Sequence, residues 1–243
     1  MKKILFVPIL TSFLYSADIA LYTENFPPYQ IYNNNKFSGI AIEIINEIQK
    51  KVDDKVDISI TSWNDAYNKA LNNKNCGVFS TGRTAEREKL FKWVGPIGKS
   101  RYIFFANINS DLYIGNPTDA SSKVKNILVG DNDVSYQTLN SFGITNLKSS
   151  KDNSGKENIQ KVANSSKNDY LWASDYYSGM YKIKQYNYEN QLKPVMFNRP
   201  FVATTMNIAF NINTDDKIIE KWSKALQEIV DNGTYDRILK KYE

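Results

Sequence analysis

Residues 79–89 read FSTGRTAEREK, and the prediction of the fold starts from this stretch. The residues that lead into it, 76–80, are mostly small or apolar, which is typical of a buried strand. A glycine follows, and Thr84 is placed to cap a helix that has Glu86 in its first turn. The pattern therefore predicts a strand, a tight turn and a short helix, whose first backbone N–H groups favour an anion.

Two arginines lie beside this predicted anion site. Arg83 and Arg87 each carry a guanidinium that can hold a carboxylate through two parallel hydrogen bonds. Ser80 and Gly82 belong to the same turn and are further candidate ligand contacts. One interpretation is a carboxylate clamp, and the alternative is that both arginines pair with the neighbouring glutamates at the surface. The residue pattern alone leaves both interpretations open.

The composition predicts a globular protein without metal or nucleic-acid chemistry. The chain has 243 residues, of which 42% are hydrophobic and 23% charged, enough for one large domain or two lobes. Its net charge of +5 is too small, and its lysines too scattered, for a nucleic-acid interface. It has no histidine and one cysteine, Cys76, which removes most metal sites and nucleophilic triads. Residues 131–133 suggest a calcium loop, but Tyr136 and Phe142 occupy the positions that need glycine and glutamate. No cofactor is expected.

Residues 1–17 are predicted to be a secretory signal peptide. Lys2 and Lys3 precede an apolar run, residues 4–14, that is too short to span a membrane. Cleavage is expected near Ala17. No cysteine follows, so we expect a periplasmic protein without a lipid anchor.

Two stretches resemble the periplasmic solute-binding proteins of amino-acid ABC transporters, the bacterial extracellular solute-binding proteins of family 3. The first is Thr84–Arg87 with the apolar and aromatic run after it, and the second is Asp231–Tyr235. The resemblance covers nearly all of residues 18–243. It implies that Arg87 binds the α-carboxylate of the ligand, whereas Arg83 lies outside the family's pattern.

The resemblance also implies the architecture. An α/β fold of two lobes is expected, the type II periplasmic-binding-protein fold, with two crossing strands and a ligand cleft between the lobes. Alternating strands and helices fit parallel βαβ units, whose ligand sites lie at the C-terminal ends of the strands. Lobe 1 is predicted to comprise residues 18–99 and 201–243, and lobe 2 residues 100–200.

Lobe 1 is expected to supply aromatic and acidic contacts. Phe26 and Tyr29 lie in a proline-fixed loop directly after the first predicted strand, and Trp63 follows another strand. The resemblance places Phe26 and Trp63 against the ligand, and the alternative is that these rings only fill the core. Family members often carry an aspartate at the position of Thr23, where the adjacent Glu24 is a possible substitute.

Lobe 2 is expected to complete the site from two helix starts. The resemblance gives Ser135 a contact with the ligand carboxylate. It also matches Asp175, at the end of a predicted strand, to the aspartate that binds the ligand ammonium. Two alternatives stay open for this acid: Ser174 takes the contact instead, or Asp175 only caps the helix that follows.

These features lead to a hypothesis of reversible capture without chemistry. A monomer closes on an amino acid, or a related small carboxylate or amine, and offers it to an ABC-transporter permease at the inner membrane. One rival is an extracytoplasmic ligand-sensing module for a receptor. The other is a periplasmic dehydratase on the same fold, which needs a poised acid or base such as Glu24. No catalytic residue is assigned.

Overall fold

The computed structural model describes residues 18–151, 154–195 and 199–242, so the predicted signal peptide lies outside it. The strands are β1 (Ile19–Thr23), β2 (Ile31–Asn33), β3 (Lys36–Ser38), β4 (Val56–Ile60), β5 (Cys76–Gly82), β6 (Phe91–Asn107), β7 (Asn126–Gly130), β8 (Leu147–Ser150), β9 (Tyr170–Asp175), β10 (Leu192–Val195) and β11 (Val202–Asn211). The helices are α1 (Ile40–Gln49), α2 (Trp63–Asn72), α3 (Pro117–Lys123), α4 (Val134–Ser141), α5 (Lys156–Ala163), α6 (Tyr176–Gln185), α7 (Asp216–Asp231) and α8 (Thr234–Lys240). None of the helices within these ranges combines the length and apolar character needed to cross a bilayer.

The described strands form one nine-stranded sheet and a separate β2–β3 hairpin. The order in the sheet is β4-β1-β5-β11-β6-β9-β7-β8, with β10 also paired to β6. At one end β1 is parallel to β4 and β5, and at the other β7 is parallel to β8 and β9. Parallel pairs need helical crossovers, so each end is an α/β unit of its own.

The predicted crossing strands are β6 and β11, which join the two ends of the sheet. They pair antiparallel from Val202 opposite Tyr102 to Asn211 opposite Phe91. The register shifts once, because Met206 and Ile208 of β11 pair with residues 98 and 94 of β6. The shift falls where Gly95 lies against the buried side chain of Asn207, and a Cβ at Gly95 would come within 2.1 Å of the Asn207 Oδ1.

Hydrophobic cores lie on either side of these strands, as expected for two lobes. In the first lobe α1 buries Ile44, Ile45 and Ile48 against β1 and α7, because their spacing puts them on one helix face. In the second lobe, successive residues of β6, such as Phe104 and Phe105, enter different cores on the two faces of the sheet. The exact residues at which the lobes begin and end stay a prediction.

The short helix expected after Gly82 is not present. Residues 83–90 form turns instead, in which the carbonyl of Thr84 accepts hydrogen bonds from the N–H groups of Arg87 and Glu88 at 3.1 and 2.9 Å. The reason is that β6 already begins at Phe91, which leaves eight residues between two paired strands. Thr84 is therefore not a helix cap, and the segment offers no helix N-terminus for an anion.

Candidate functional site

A cavity of about 40 Å³ lies between the two lobes. Its lining comes from strands, helices and loops of both lobes: Glu24, Phe26, Trp63, Tyr102, Gly130, Asp133, Gly155, Asn158, Trp172, Ala173, Ser174 and Lys182. This space admits roughly three water molecules. Three of the predicted contacts, Glu24, Phe26 and Trp63, are thus brought together, together with the alternative Ser174.

The cleft is closed by hydrogen bonds between the lobes. The indole Nε1 of Trp63 donates to the carbonyl oxygen of Asn132 at 3.1 Å. The amide of Asn64 donates to Asp131 Oδ2 at 2.9 Å and accepts from the Asn132 amide at 2.9 Å. The start of α2 is thereby joined to the loop between β7 and α4.

Arg87 takes part in this closure and does not line the cavity. Its side chain is 1% exposed. Nη2 donates to the carbonyl oxygen of Asn132 at 2.8 Å, and Nη1 donates to that of Gly82 at 3.3 Å. The guanidinium lies over the rings of Trp63 and Tyr67, 5.3 and 5.4 Å from their centres. Its Nε has no acceptor in the described part of the chain, and burial lowers the pKa of Arg87. Its role as a carboxylate clamp stays a prediction.

Arg83 is placed differently, on the surface. Its Nε and Nη2 donate to the two carboxylate oxygens of Glu88 at 2.7 and 2.6 Å. This is the surface pairing given above as the alternative. The bidentate geometry raises the pKa of Arg83 and lowers that of Glu88. Arg83 as a ligand contact likewise stays a prediction.

Ser80 and Tyr29 do not line the cavity, but their contacts hold residues next to it. The Ser80 hydroxyl donates to Gln30 Oε1 at 2.6 Å, and Gln30 Nε2 donates to the Thr23 hydroxyl at 2.8 Å. Tyr29 stacks on Phe26 with ring centres 5.3 Å apart, and its hydroxyl donates to a carbonyl of β6 at 2.7 Å. Burial raises the pKa of Tyr29. These bonds hold the loop that presents Phe26 to the cavity.

Asp175 is fully buried and outside the cavity lining. Its carboxylate accepts from the N–H of Ser178 and from the N–H of Arg101, both at 2.9 Å, so it caps α6 and ties β9 to β6. Desolvation raises its pKa to about 6, against the effect of these backbone donors. The capping interpretation accounts for these contacts, and the ligand-ammonium role of Asp175 stays a prediction.

Asp133 is a cavity residue that the sequence analysis missed. It caps α4, and Oδ1 accepts from both the N–H and the hydroxyl of Ser135, while Oδ2 accepts from the Tyr102 hydroxyl at 3.1 Å. Ser135 is therefore buried and turned toward Asp133, and its contact with a ligand stays a prediction. An acid directly before an apolar helix face was the signal for this cap.

Glu24 and Lys182 are the remaining charged residues of the lining. Desolvation raises the pKa of Glu24 to about 8; the positive charge of Lys182 opposes this shift and the negative charge of Asp133 adds to it. The buried Lys182 ammonium lies 5.6 Å from the centre of the Phe26 ring. Lys182 was missed, although its spacing of seven residues from Asp175 puts both on one face of α6.

The described residues contain no cluster of three or more His, Cys, Asp or Glu side chains that could hold a metal ion. The side chains that line the cavity carry carboxylate, ammonium, amide, hydroxyl and aromatic groups.

Solved structures with the same fold were found by structural comparison. A histidine kinase sensor domain with similarity to periplasmic binding proteins superposes with a TM-score of 0.80 at 18% identity, covering 92% of this chain and 95% of that one. The arginine-, lysine-, histidine-binding protein ArtJ from Geobacillus stearothermophilus gives a TM-score of 0.77 at 16% identity, covering 92% and 94%. The ancestral amino-acid-binding protein AncCDT-1, a precursor of cyclohexadienyl dehydratase, gives 0.75 at 18% identity, covering 92% and 94%.

These identities are low, so the superpositions establish the two-lobed periplasmic-binding-protein fold and nothing finer. A sequence search of curated proteins found no match. The sequence profile of the bacterial extracellular solute-binding proteins, family 3, matches residues 19–243. This match spans both lobes and the crossing strands, and it confirms the resemblance inferred from residues 84–87 and 231–235. The chain belongs to the bacterial extracellular solute-binding proteins of family 3.

Proposed function

We propose that this protein is exported to the periplasm, captures a small ligand between its lobes and delivers it to an ABC-transporter permease. The ligand is an amino acid or a related small carboxylate or amine. The observation that carries the proposal is the cavity between the lobes, lined by aromatic rings and by Glu24, Asp133 and Lys182. The family membership supports it. Residues 1–17 serve as the signal peptide, and the protein works as a monomer.

The mechanism is capture by closure, without a chemical step. In an open form the start of α2 and the loop after β7 separate, which exposes Phe26 and Trp63 to the ligand. Bending of β6 and β11 then brings the lobes together and excludes water from the cavity. The bonds between Asn64, Asp131 and Asn132 hold the closed form, which the permease receives.

A thermal-shift screen of residues 18–243 against amino acids, polyamines and small carboxylates tests the proposal. A ligand at about a hundred times its dissociation constant adds about 2.7 kcal/mol of stability, which at this size is a rise in Tm of roughly 5–10 °C. If Arg87 is the clamp, Arg87→Lys abolishes the shift for carboxylate ligands, whereas the exposed control Arg237→Lys does not. A flat screen across all three classes contradicts the proposed function.

One observation favours the dehydratase as a second candidate. Glu24 lines the cavity with a pKa near 8, close to the range in which a general acid or base works best at neutral pH. Incubation with cyclic hydroxy acids, followed by detection of the dehydrated product, tests this function. The dehydratase function requires turnover that is lost in Glu24→Gln. Binding of the cyclic acids without turnover excludes this function.

A further inference from the structure

More acidic than basic side chains line the cavity. Two carboxylates, Glu24 and Asp133, and one ammonium, that of Lys182, line it. Asp133 accepts hydrogen bonds from Ser135 and Tyr102, whereas the Glu24 carboxylate accepts none from the described residues. Within the described residues, Glu24 is thus the lining carboxylate with unused acceptor capacity.

The position where an anion would bind is already filled by the protein. Asp133 places its own carboxylate at the start of α4, where the N–H groups of a helix favour a negative charge. It also interacts with the guanidinium of Arg87, whose two terminal nitrogens donate to backbone carbonyls. A ligand carboxylate at this point would meet the negative charge of Asp133.

Glu24 and Lys182 separate the cavity from a second space. Both also line an outer opening of about 280 Å³ toward Thr61 and Tyr186. They interact electrostatically, but no ion pair within 4.0 Å joins them. The Lys182 ammonium lies 5.6 Å from the centre of the Phe26 ring, the arrangement that a bound cation would adopt.

We propose that the ligand is an organic cation that needs no carboxylate, and that its ammonium or guanidinium displaces the Lys182 ammonium between Glu24 and Phe26. This inference rests on the proposed function, because it names the ligand class of the same cavity. Glu24 supplies the charge, and the rings of Phe26, Trp63 and Trp172 supply the apolar walls. Lys182 is the internal cation that occupies the position until the ligand arrives.

Matched ligand pairs that differ only in the carboxylate test this inference. Isothermal titration of residues 18–243 compares agmatine with arginine, and cadaverine with lysine. The amine of at least one pair is expected to bind about tenfold or more tightly than its amino acid, because the carboxylate meets Asp133 without an open donor. Glu24→Gln is expected to weaken amine binding by about tenfold.

Lys182→Met distinguishes displacement from direct ligand contact. It is expected to strengthen amine binding several-fold, because the competing internal cation is gone, while the exposed control Lys184→Met on the same helix leaves the affinity unchanged. Tighter binding of the amino acids, or a loss of amino-acid binding in Lys182→Met, would overturn the inference and leave the proposed function intact. Absence of binding by any member of the screen contradicts the proposed function itself.

Discussion

Glu24 is expected to make the stability of the ligand-free protein depend on pH. Its folded-state pKa, about 8, lies above the ordinary value of 4.5, so ionising it opposes folding. This cost is absent below about pH 4.5, grows as the pH rises and is complete above about pH 8. Glu24→Gln should therefore raise Tm little at pH 4.5 and by a few °C or more at pH 8.5, at about 2–4 °C per kcal/mol.

Differential scanning calorimetry across this pH range measures the effect, with the exposed Glu189→Gln as the control. Lys182 and Asp133 are the charged groups that face Glu24, and both variants retain them. An equal Tm difference at both pH values would contradict the assignment.

Asp175 offers a second test at the residue scale, since it supplies a helix cap and an acceptor for another strand. Asp175→Ala leaves the buried N–H group of Ser178 and the part-buried N–H group of Arg101 without this acceptor. The expected loss is about 2–4 kcal/mol in the free energy of unfolding, measured by urea denaturation. Asp215→Ala, which removes the exposed cap of α7, should cost only about 1 kcal/mol. Equal losses would argue against a structural role beyond capping.

Some single residues could be assigned from the sequence, and others needed coordinates. Phe26 and Trp63 each come three residues after a strand, and the family resemblance had predicted that both face the ligand cleft, where they line the cavity. The hydrogen-bond partners of Arg87 were not predictable, because they are backbone carbonyls, which carry no sequence signal. The seven-residue spacing of Lys182 from Asp175 was a signal for a shared face, but the place of Lys182 at the cavity depends on how α6 packs on β6.

At the scale of elements, α6 packs closely on β6 because Gly179 has no side chain at their contact. A Cβ at Gly179 would come within 2.4 Å of the Phe105 ring, which is fully buried. Gly179→Ala should therefore lower stability by about 1–3 kcal/mol through overpacking, despite the better helix propensity of alanine. Gly115→Ala, whose nearest neighbour would be 3.8 Å away, should be close to neutral. Chemical denaturation of both variants provides the comparison.

Strands and long helices were largely predictable, and the segment after Gly82 was not. Apolar spacing identified β1, α1 and α7 because their core faces repeat with the period of the element. Residues 83–90 carry local helix signals, yet pairing of β6 with β11 begins at Phe91 and overrides them. Local helix propensity carries no information about the pairing of Phe91 with Asn211, which lies 120 residues further along the sequence.

At the scale of the whole molecule, closure depends on a few bonds outside the cavity. Asn64→Ala removes two hydrogen bonds between the lobes, those to Asp131 and Asn132. The closed population should fall, so ligand affinity should drop by about three- to tenfold, and the radius of gyration without ligand should increase. Asn72→Ala is the control, because among the described residues its amide donates to the Asn68 carbonyl within α2 and to no residue of the other lobe.

Small-angle scattering and titration calorimetry together test this prediction. An unchanged radius with unchanged affinity would show that these bonds do not hold the closed form. The two-lobed plan itself was predictable from the resemblance, but these contacts were not, since they join side chains 67 and 68 residues apart in the sequence.

The register shift between β6 and β11 has a consequence for isotope exchange. Residues 95–97 of β6 face the single residue Asn207, so regular pairing is interrupted inside an otherwise continuous ladder. Pro96 has no amide proton, but those of Gly95 and Ile97 should exchange with deuterium faster than those of residues 91–94 and 100–104, because local opening needs fewer bonds to break. If the lobes bend there, ligand binding should slow that exchange more than in either flank. The position of the hinge can then be located by mass spectrometry, peptide by peptide.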